Sequence, residues 1–301
     1  MKFLILGDVH FTDKTPASRV DNYQEEMKRK LQSVLVESEG IVSTLQLPIL
    51  QPGDFTDTPF LSYSAYITLS SWVNEYRIFT IYGQHDMRYR NKGNTPLDAL
   101  SESIPTFKIL KKKFLKADVC IYPCSYDEDV PEIETPDMFN ILLIHKMLIG
   151  KSEKMEGWKE QYETGYNFLK RSKFDLIVSG DNHRSFIEKI EDPKPRYLIN
   201  CGSLMRSKID QINHRPFYVI FDTINREYRK RNIAIRDWSE VFDIEKKIKE
   251  EQHNEEMESF VKGLSTHKEM GLNFKDNVTT YMKENNIDQA IINEVNESMN
   301  A

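Results

Sequence analysis

Five times in this chain an apolar run that reads as a strand stops and is followed at once by residues able to ligate a metal. The runs are LILGDVH (4–10), PILQPGD (48–54), IFTIYGQHD (78–86), ILLIHK (141–146) and DLIVSGDNH (175–183). Four of them end in glycine, and four of the seven histidines stand on them, whereas His214, His253 and His267 stand elsewhere. Any one of these histidines is most simply a core or surface residue. Five such strand ends in one chain point to a shared polyvalent metal site. In an α/β sheet, ligands collect beyond the carboxyl ends of the strands, where all of these residues fall.

The rest of the chain fits that frame. Charged, proline-free Val20 to Gln46 reads as a helix with Gly40 as its weak point, as do Leu61 to Tyr76 and Lys154 to Arg171. Residues 87–105 read as a long polar loop with one helical turn, and DEDVPEIETPD as a surface loop. RSFIEKI, RYLINCGSL, FYVIFD and EYRKRNIAI alternate between turn residues, which suggests antiparallel pairing. After residue 236 the pattern changes to two charged helices, roughly 239–262 and 276–298. The expected organisation is an α/β domain over 1–236 with helices outside the sheet, and an acidic helical segment over 237–301.

Apolar residues at 39% and charged residues at 29% fit a soluble globular chain of 301 residues. The apolar start is too short for a signal peptide or a membrane span, and no apolar run of spanning length follows. Cys120, Cys124 and Cys201 are too few and too odd for a disulfide framework, which suits a cytoplasmic setting. The C-x3-C pair reads as two strand cysteines. The net charge of −6 is concentrated in the tail: residues 237–301 carry 7 Lys+Arg against 15 Asp+Glu, leaving 34 against 32 in the first 236. The body is therefore not excluded from phosphate-rich substrates.

The residue types favour two ions. Asp54 could bridge a pair through its two oxygens. Mixed histidine and carboxylate donors suit Mn²⁺, Fe²⁺ or Zn²⁺ better than the all-oxygen shells of Mg²⁺ and Ca²⁺. Paired cations lower the pKa of a bridging water and neutralise charge on an attacked phosphorus.

The ordered set GDVH, GDFTD, GQHD, IHK and GDNH resembles the calcineurin-like metallophosphoesterase superfamily over about residues 1–236. Within it, QPGDFTDTP and NCGSLMRSKIDQINHRP look most like SbcD-type DNA repair nucleases, including short phage forms. The resemblance implies a two-sheet β sandwich flanked by helices and an SbcD-like DNA nuclease with 3′-to-5′ exonuclease and single-strand endonuclease activity. It places Asp8, His10 and His183 on a first metal, Asp54 as the bridge, and Gln84, His145 and Asp181 on a second. It makes His85 the catalytic histidine, oriented by Asp86. Two positions depart from the family pattern: Gln84 stands where asparagine is usual, and Asp181 where histidine is usual. An extra carboxylate at the second site favours Mn²⁺ or Mg²⁺ there over Zn²⁺.

Arg88, Arg90, Arg184 and Arg206 are candidate contacts to DNA phosphates, with Lys92, Lys146, Lys151 and Lys154 also near the motifs. LKKKFLK (110–116) reads equally as a DNA contact or a lysine-bearing strand edge. By resemblance the tail would bind an SbcC-type ATPase through apolar residues such as Val241, Phe242, Ile244, Ile248, Phe260, Val261 and Leu264. The family's dimerisation helices would correspond to Val20–Gln46 or residues 60–76. The competing readings are a phosphomonoesterase or small phosphodiesterase on the same site, and a scaffold with a degenerate metal site.

Overall fold

The computed structural model describes residues 1–40, 47–74, 76–153, 162–243, 245, 278, 281–282 and 287–300. The chain forms two compact units, Met1–Val241 and Phe242–Ala301.

The first unit is built on two six-stranded mixed sheets. In sheet one, β1 (Lys2–Ile5), β2 (Ile49–Gln51), β3 (Ile78–Thr80) and β4 (Phe107–Ile109) run parallel. β11 (Phe217–Asp222) adds antiparallel to β1, and β12 (Glu227–Asn232) to β11. In sheet two, β6 (Val119–Cys124), β7 (Phe139–His145), β8 (Leu176–Gly180) and β10 (Arg196–Asn200) run parallel. β5 (Phe114–Lys116) and β9 (Phe186–Ile190) close its two edges antiparallel.

The period-two alternation of the strands sorts the core. Phe3, Ile5, Ile141, Leu143, Leu176, Val178, Val219 and Phe221 point between the sheets and pack into one cluster. Their neighbours Leu4 and Ile220 point outward under α1 (Tyr23–Gly40), α2 (Tyr63–Val73) and α3 (Pro96–Ser103). Leu142, Ile144 and Ile177 point outward under α4 (Gly165–Arg171). The result is a β sandwich with helices on both outer faces. A strand buried on both faces must be apolar throughout, which is why the runs before the ligands are nearly continuous.

Two local expectations are corrected and a third is refined. The polar stretch 87–105 contains a full helix, α3, started by a capping box: Thr95 Oγ1 accepts from Asp98 N–H, and the Asp98 carboxylate accepts from Thr95 N–H, with Pro96 at the first helical position. The antiparallel pairing expected of the last four strands holds within two hairpins, β9 with β10 and β11 with β12; these lie in different sheets, and β10 also lies parallel to β8. The helix expected over Lys154 to Arg171 is observed as Gly165–Arg171, and 154–161 lie outside the described residues.

LKKKFLK does end in an edge strand, β5. Cys120, Cys124 and Cys201 are buried free thiols. In the second unit, α5 (Gln289–Asn300) is described, and Val278 and Met282 pack with Ile287, Ile292 and Val295. Ile244, Ile248, Phe260, Val261 and Leu264 lie outside the described residues. Among the described residues no helix is long and apolar enough to cross a membrane.

Candidate metal centre

Beyond the ends of β1, β2, β3, β7 and β8 the chain turns sharply, and the turns are strained where ligands are expected. His10, Asp54 and Asp181 have φ of 49°, 51° and 78°. Non-glycine residues seldom enter this left-handed region, and each costs about 1–3 kcal/mol that the surrounding structure must offset. The preceding glycines make room for neighbouring ligands. A Cβ at Gly83 would collide with the Asp54 carboxylate, and one at Gly180 would meet Asp8 Oδ1 at 2.5 Å.

The turns bring all seven expected ligand residues to one cleft. Asp8, His10 and His183 offer ligand atoms that lie within 4.8 Å of one another, as do those of His10, Asp54 and His85. His10 Nε2 and His183 Nε2 are 2.9 Å apart. Asp8 Oδ2 accepts the Asp181 backbone N–H at 2.9 Å, while its Oδ1 is buried without a hydrogen-bond partner. His145 donates Nδ1–H to the Pro52 carbonyl at 2.7 Å, which aims Nε2 at Asp54 Oδ2, 3.3 Å away. Gln84 Nε2 donates to Asp181 Oδ1 at 3.1 Å, and Gln84 Oε1 is buried and unpartnered. Asp54 Oδ2 and His145 Nε2 likewise lack hydrogen-bond partners. Unpaired buried donor and acceptor atoms are costly. Here they converge, and they belong to the residues whose chemistry suits divalent cations, so the donor set fits such ions. The fit is tightest for the first trio. The second set stands as two pairs, Asp54 with His145 and Gln84 with Asp181.

The electrostatics agree. Burial pushes the Asp8 carboxyl up to about 8, against the opposing pull of His145 and His10. Burial disfavours the charged form of His145, but the charges of Asp54, Asp8 and Asp181 outweigh it and raise that imidazole to about 10. Burial also opposes ionisation of Asp54, yet His145, His10 and His85 hold its carboxyl below the usual range. Burial lowers His183 to about 3, leaving it neutral and ready to ligate. The carboxylates that retain a proton on His145 would equally retain a cation.

Two expected roles change. Asp86 does not orient His85. It is wholly buried, and its carboxylate accepts from the backbone N–H groups of Phe55, Thr56 and Gly83 and from the Thr56 hydroxyl. It locks the loop that carries Asp54. His85 is held instead by Asp57, whose carbonyl accepts Nδ1–H at 2.9 Å and whose carboxylate is 3.9 Å away. Asp57 Oδ1 also lies 3.3 Å from His10 Nδ1. Asp57 is the last acid of GDFTD, a signal present in the sequence. Arg206 is not a phosphate-facing side chain. It is buried, and its guanidinium donates to the carbonyls of Ile212 and Arg236. Gln211, also missed, places Nε2 3.1 Å from His183 Nδ1 and its Oε1 on the backbone N–H groups of Ser207 and Lys208.

The cleft in front of the cluster has a volume of about 1240 Å³. Its lining carries charges of both signs: Lys146, Arg184, Lys208, Arg215 and Lys230, with Asp127, Glu128 and Asp129. Arg184 is exposed and pairs with Glu153 at 3.3 Å, whereas Arg88 and Arg90 lie exposed on a turn beyond His85.

A two-sheet sandwich with an acid-and-imidazole cluster at its strand ends defines a metal-dependent phosphoester hydrolase. The model of the calcineurin-like phosphoesterase family matches residues 1–185. That is more than half of the 301-residue chain, and the chain belongs to this family. No curated protein matches it. Among solved structures, the crystal structure of a metallophosphoesterase from Sphaerobacter thermophilus is similar over 78% of this chain and 89% of that chain, at 14% identity and a TM-score of 0.37.

Proposed function

We propose that this chain is a two-metal DNA nuclease that uses Mn²⁺, with Mg²⁺ as the substitute, to hydrolyse phosphodiester bonds. The observation that supports it is the number of cations lining the cleft beside the cluster: Lys146, Arg184, Lys208, Arg215 and Lys230 could hold further phosphates of a polymer. No base-reading motif accompanies them, so the cleavage is independent of sequence.

In this reading Asp8, His10 and His183 would hold one ion and Gln84, His145 and Asp181 another, with Asp54 available to both. Bound divalent ions supply Lewis acidity that activates water and neutralises charge on the attacked phosphate. The side chains do the rest. Pro52 fixes the ring of His145 through Nδ1. Asp57 fixes the ring of His85 in the same way, so Nε2 is the atom that His85 can turn to substrate. From there it would give a proton to the departing oxygen.

A second reading, a phosphomonoesterase or small phosphodiesterase, is favoured by Asp127, Glu128 and Asp129 on the cleft. These would repel a long polyanion. Labelled single- and double-stranded DNA, assayed beside p-nitrophenyl phosphate esters with Mn²⁺, separates the two. DNA cleavage that is lost in His85→Ala supports the nuclease. Turnover of the small esters alone would establish the second reading.

A further inference from the structure

The two segments that carry Asp57 and His85 continue outward from the cleft together. They are tied once at the site, where the Asp57 carbonyl accepts His85 Nδ1–H at 2.9 Å. They are tied again further out, where the Arg88 guanidinium lies 5.2 Å from the Phe60 ring centroid and 5.7 Å from that of Tyr89. Both rings face solvent: Phe60 is 56% exposed and Tyr89 80%.

The turn that carries Tyr89 is closed and strained. Arg88 N–H donates to the Asn91 carbonyl at 3.2 Å, and Asn91 N–H donates back to the Arg88 carbonyl at 2.9 Å. Tyr89 and Arg90 between them have φ of 51° and 60°. Consecutive left-handed residues in a two-residue turn are normally Asn-Gly or similar. A tyrosine and an arginine there carry strain, and no burial compensates, because both side chains are exposed. The base of the turn is firm: Met87 is buried, Asp86 is locked into the Asp54 loop, and Thr95 starts α3 on the far side. The fold thus holds an aromatic ring and a cation in solvent beside the hydrolytic site.

We propose that Phe60, Arg88, Tyr89 and Arg90 form a platform on which unpaired bases of single-stranded nucleic acid stack as the strand enters the cleft. This rests on the nuclease reading and adds base stacking to it. Every base has a π face, so ring stacking tolerates any sequence, and the guanidinium of Arg88 beside the rings, with exposed Arg90 next to Tyr89, could meet the phosphates that separate the bases. The charge argues for a polyanion over an apolar partner, which would bury Arg88 and Arg90 without a counter-charge. Tyr89 is four residues from His85, at most about 14 Å along an extended chain, so a stacked base lies within a few nucleotides of the reacting phosphate.

The test uses a His85→Ala background, which prevents cleavage, and fluorescence anisotropy with oligothymidine and an abasic strand of equal length. The expected result is tighter binding of oligothymidine. Adding Tyr89→Ala or Phe60→Ala should lower its affinity about 5- to 150-fold with little change for the abasic strand, and Tyr89→Trp should restore it. Thermal melting checks that the variants fold. Unchanged oligothymidine affinity, or equal losses on both strands, would overturn the platform while leaving the nuclease reading intact. Failure of the parent to bind either strand, with the wild type still hydrolysing bis-p-nitrophenyl phosphate, would overturn both. A concentration-dependent dimer abolished by Tyr89→Ala, without any preference for bases, would assign the patch to a second copy of the chain and overturn the proposal.

Discussion

His145 gives its Nδ1–H to the Pro52 carbonyl and so presents Nε2 to Asp54 Oδ2 at 3.3 Å, with neither of those facing atoms in an aligned hydrogen bond. Without metal a proton retained on His145 pairs the two groups, but at 3.3 Å and without an aligned hydrogen bond, and a divalent cation in its place would carry more of the compensating charge. Mn²⁺ should therefore stabilise this protein. At a hundredfold excess over Kd, one site contributes about 2.7 kcal/mol, a Tm rise of roughly 5–10 °C for a domain of this size. His145→Ala should cost one bound ion per chain and much of that rise. Differential scanning fluorimetry with and without Mn²⁺, and metal analysis after refilling, read both. A wild-type Tm that ignores Mn²⁺ would contradict this account of the site.

Asp57 and Asp86 should separate cleanly. His85→Ala removes the proton donor from a partly exposed position, whereas Asp57→Asn keeps the carbonyl that holds His85 and changes only the carboxylate near His85 and His10. DNA cleavage should fall by roughly 10²- to 10⁴-fold for His85→Ala and less for Asp57→Asn, with bound metal retained in His85→Ala. Asp86→Ala leaves the N–H groups of Thr56 and Gly83 buried without their acceptor and should cost about 3 kcal/mol or more of stability. Urea midpoints against single-turnover rates distinguish the two. If Asp86→Ala melts like wild type, the locking role is wrong.

The residues that converge at the strand ends were legible because each is encoded locally. An apolar strand, a glycine that lets a neighbour approach, and a ligand occupy a few consecutive residues. What orients His85 was not, because Asp86 is the nearer acid in sequence but its carboxylate points into the loop of the next strand. Arg206 looked like a phosphate contact because its partners are carbonyls at 212 and 236, which no sequence pattern announces. β4 has only three residues, too few for a periodic signal. α3 was hidden by polar composition, although Thr-Pro-x-Asp at its start is a capping signature. The parallel pairing of β10 with β8 depends on a crossover that alternation alone cannot reveal.

Asp181 is the residue where this chain leaves the family pattern, and its carboxylate accepts from Gln84, the other departure. The two substitutions thus support each other. Asp181→His restores the usual donor but leaves Gln84 Nε2 facing an imidazole. A harder anionic ligand favours Mn²⁺ and Mg²⁺, and a histidine favours Zn²⁺. The ratio of Mg²⁺- to Zn²⁺-supported turnover should therefore fall in Asp181→His. Competition binding with the two ions checks the same point without catalysis. An unchanged preference would mean that Asp181 contributes no ligand.

Lys30 offers a prediction away from the reacting groups. This lysine is 1% exposed, and among the described residues its ammonium donates to the Leu204 carbonyl, at 3.3 Å. Burial lowers its pKa from 10.5 to about 7, although Glu26 opposes the shift. Between about pH 7 and 10.5 the unfolded chain therefore binds a proton that the folded chain does not, and this group makes stability rise with pH across that window. At and below the lower limit the folded protein carries the full cost of a buried charge. Lys30→Met keeps the shape of the side chain and removes that cost. It should stabilise the fold at pH 7 by on the order of 1–3 kcal/mol, with the advantage shrinking as pH approaches 10. Urea unfolding of both proteins at pH 7 and pH 10 measures the difference directly. A variant that is less stable at pH 7, or equally advantaged at both values, would mean that Lys30 is charged and well compensated where it sits.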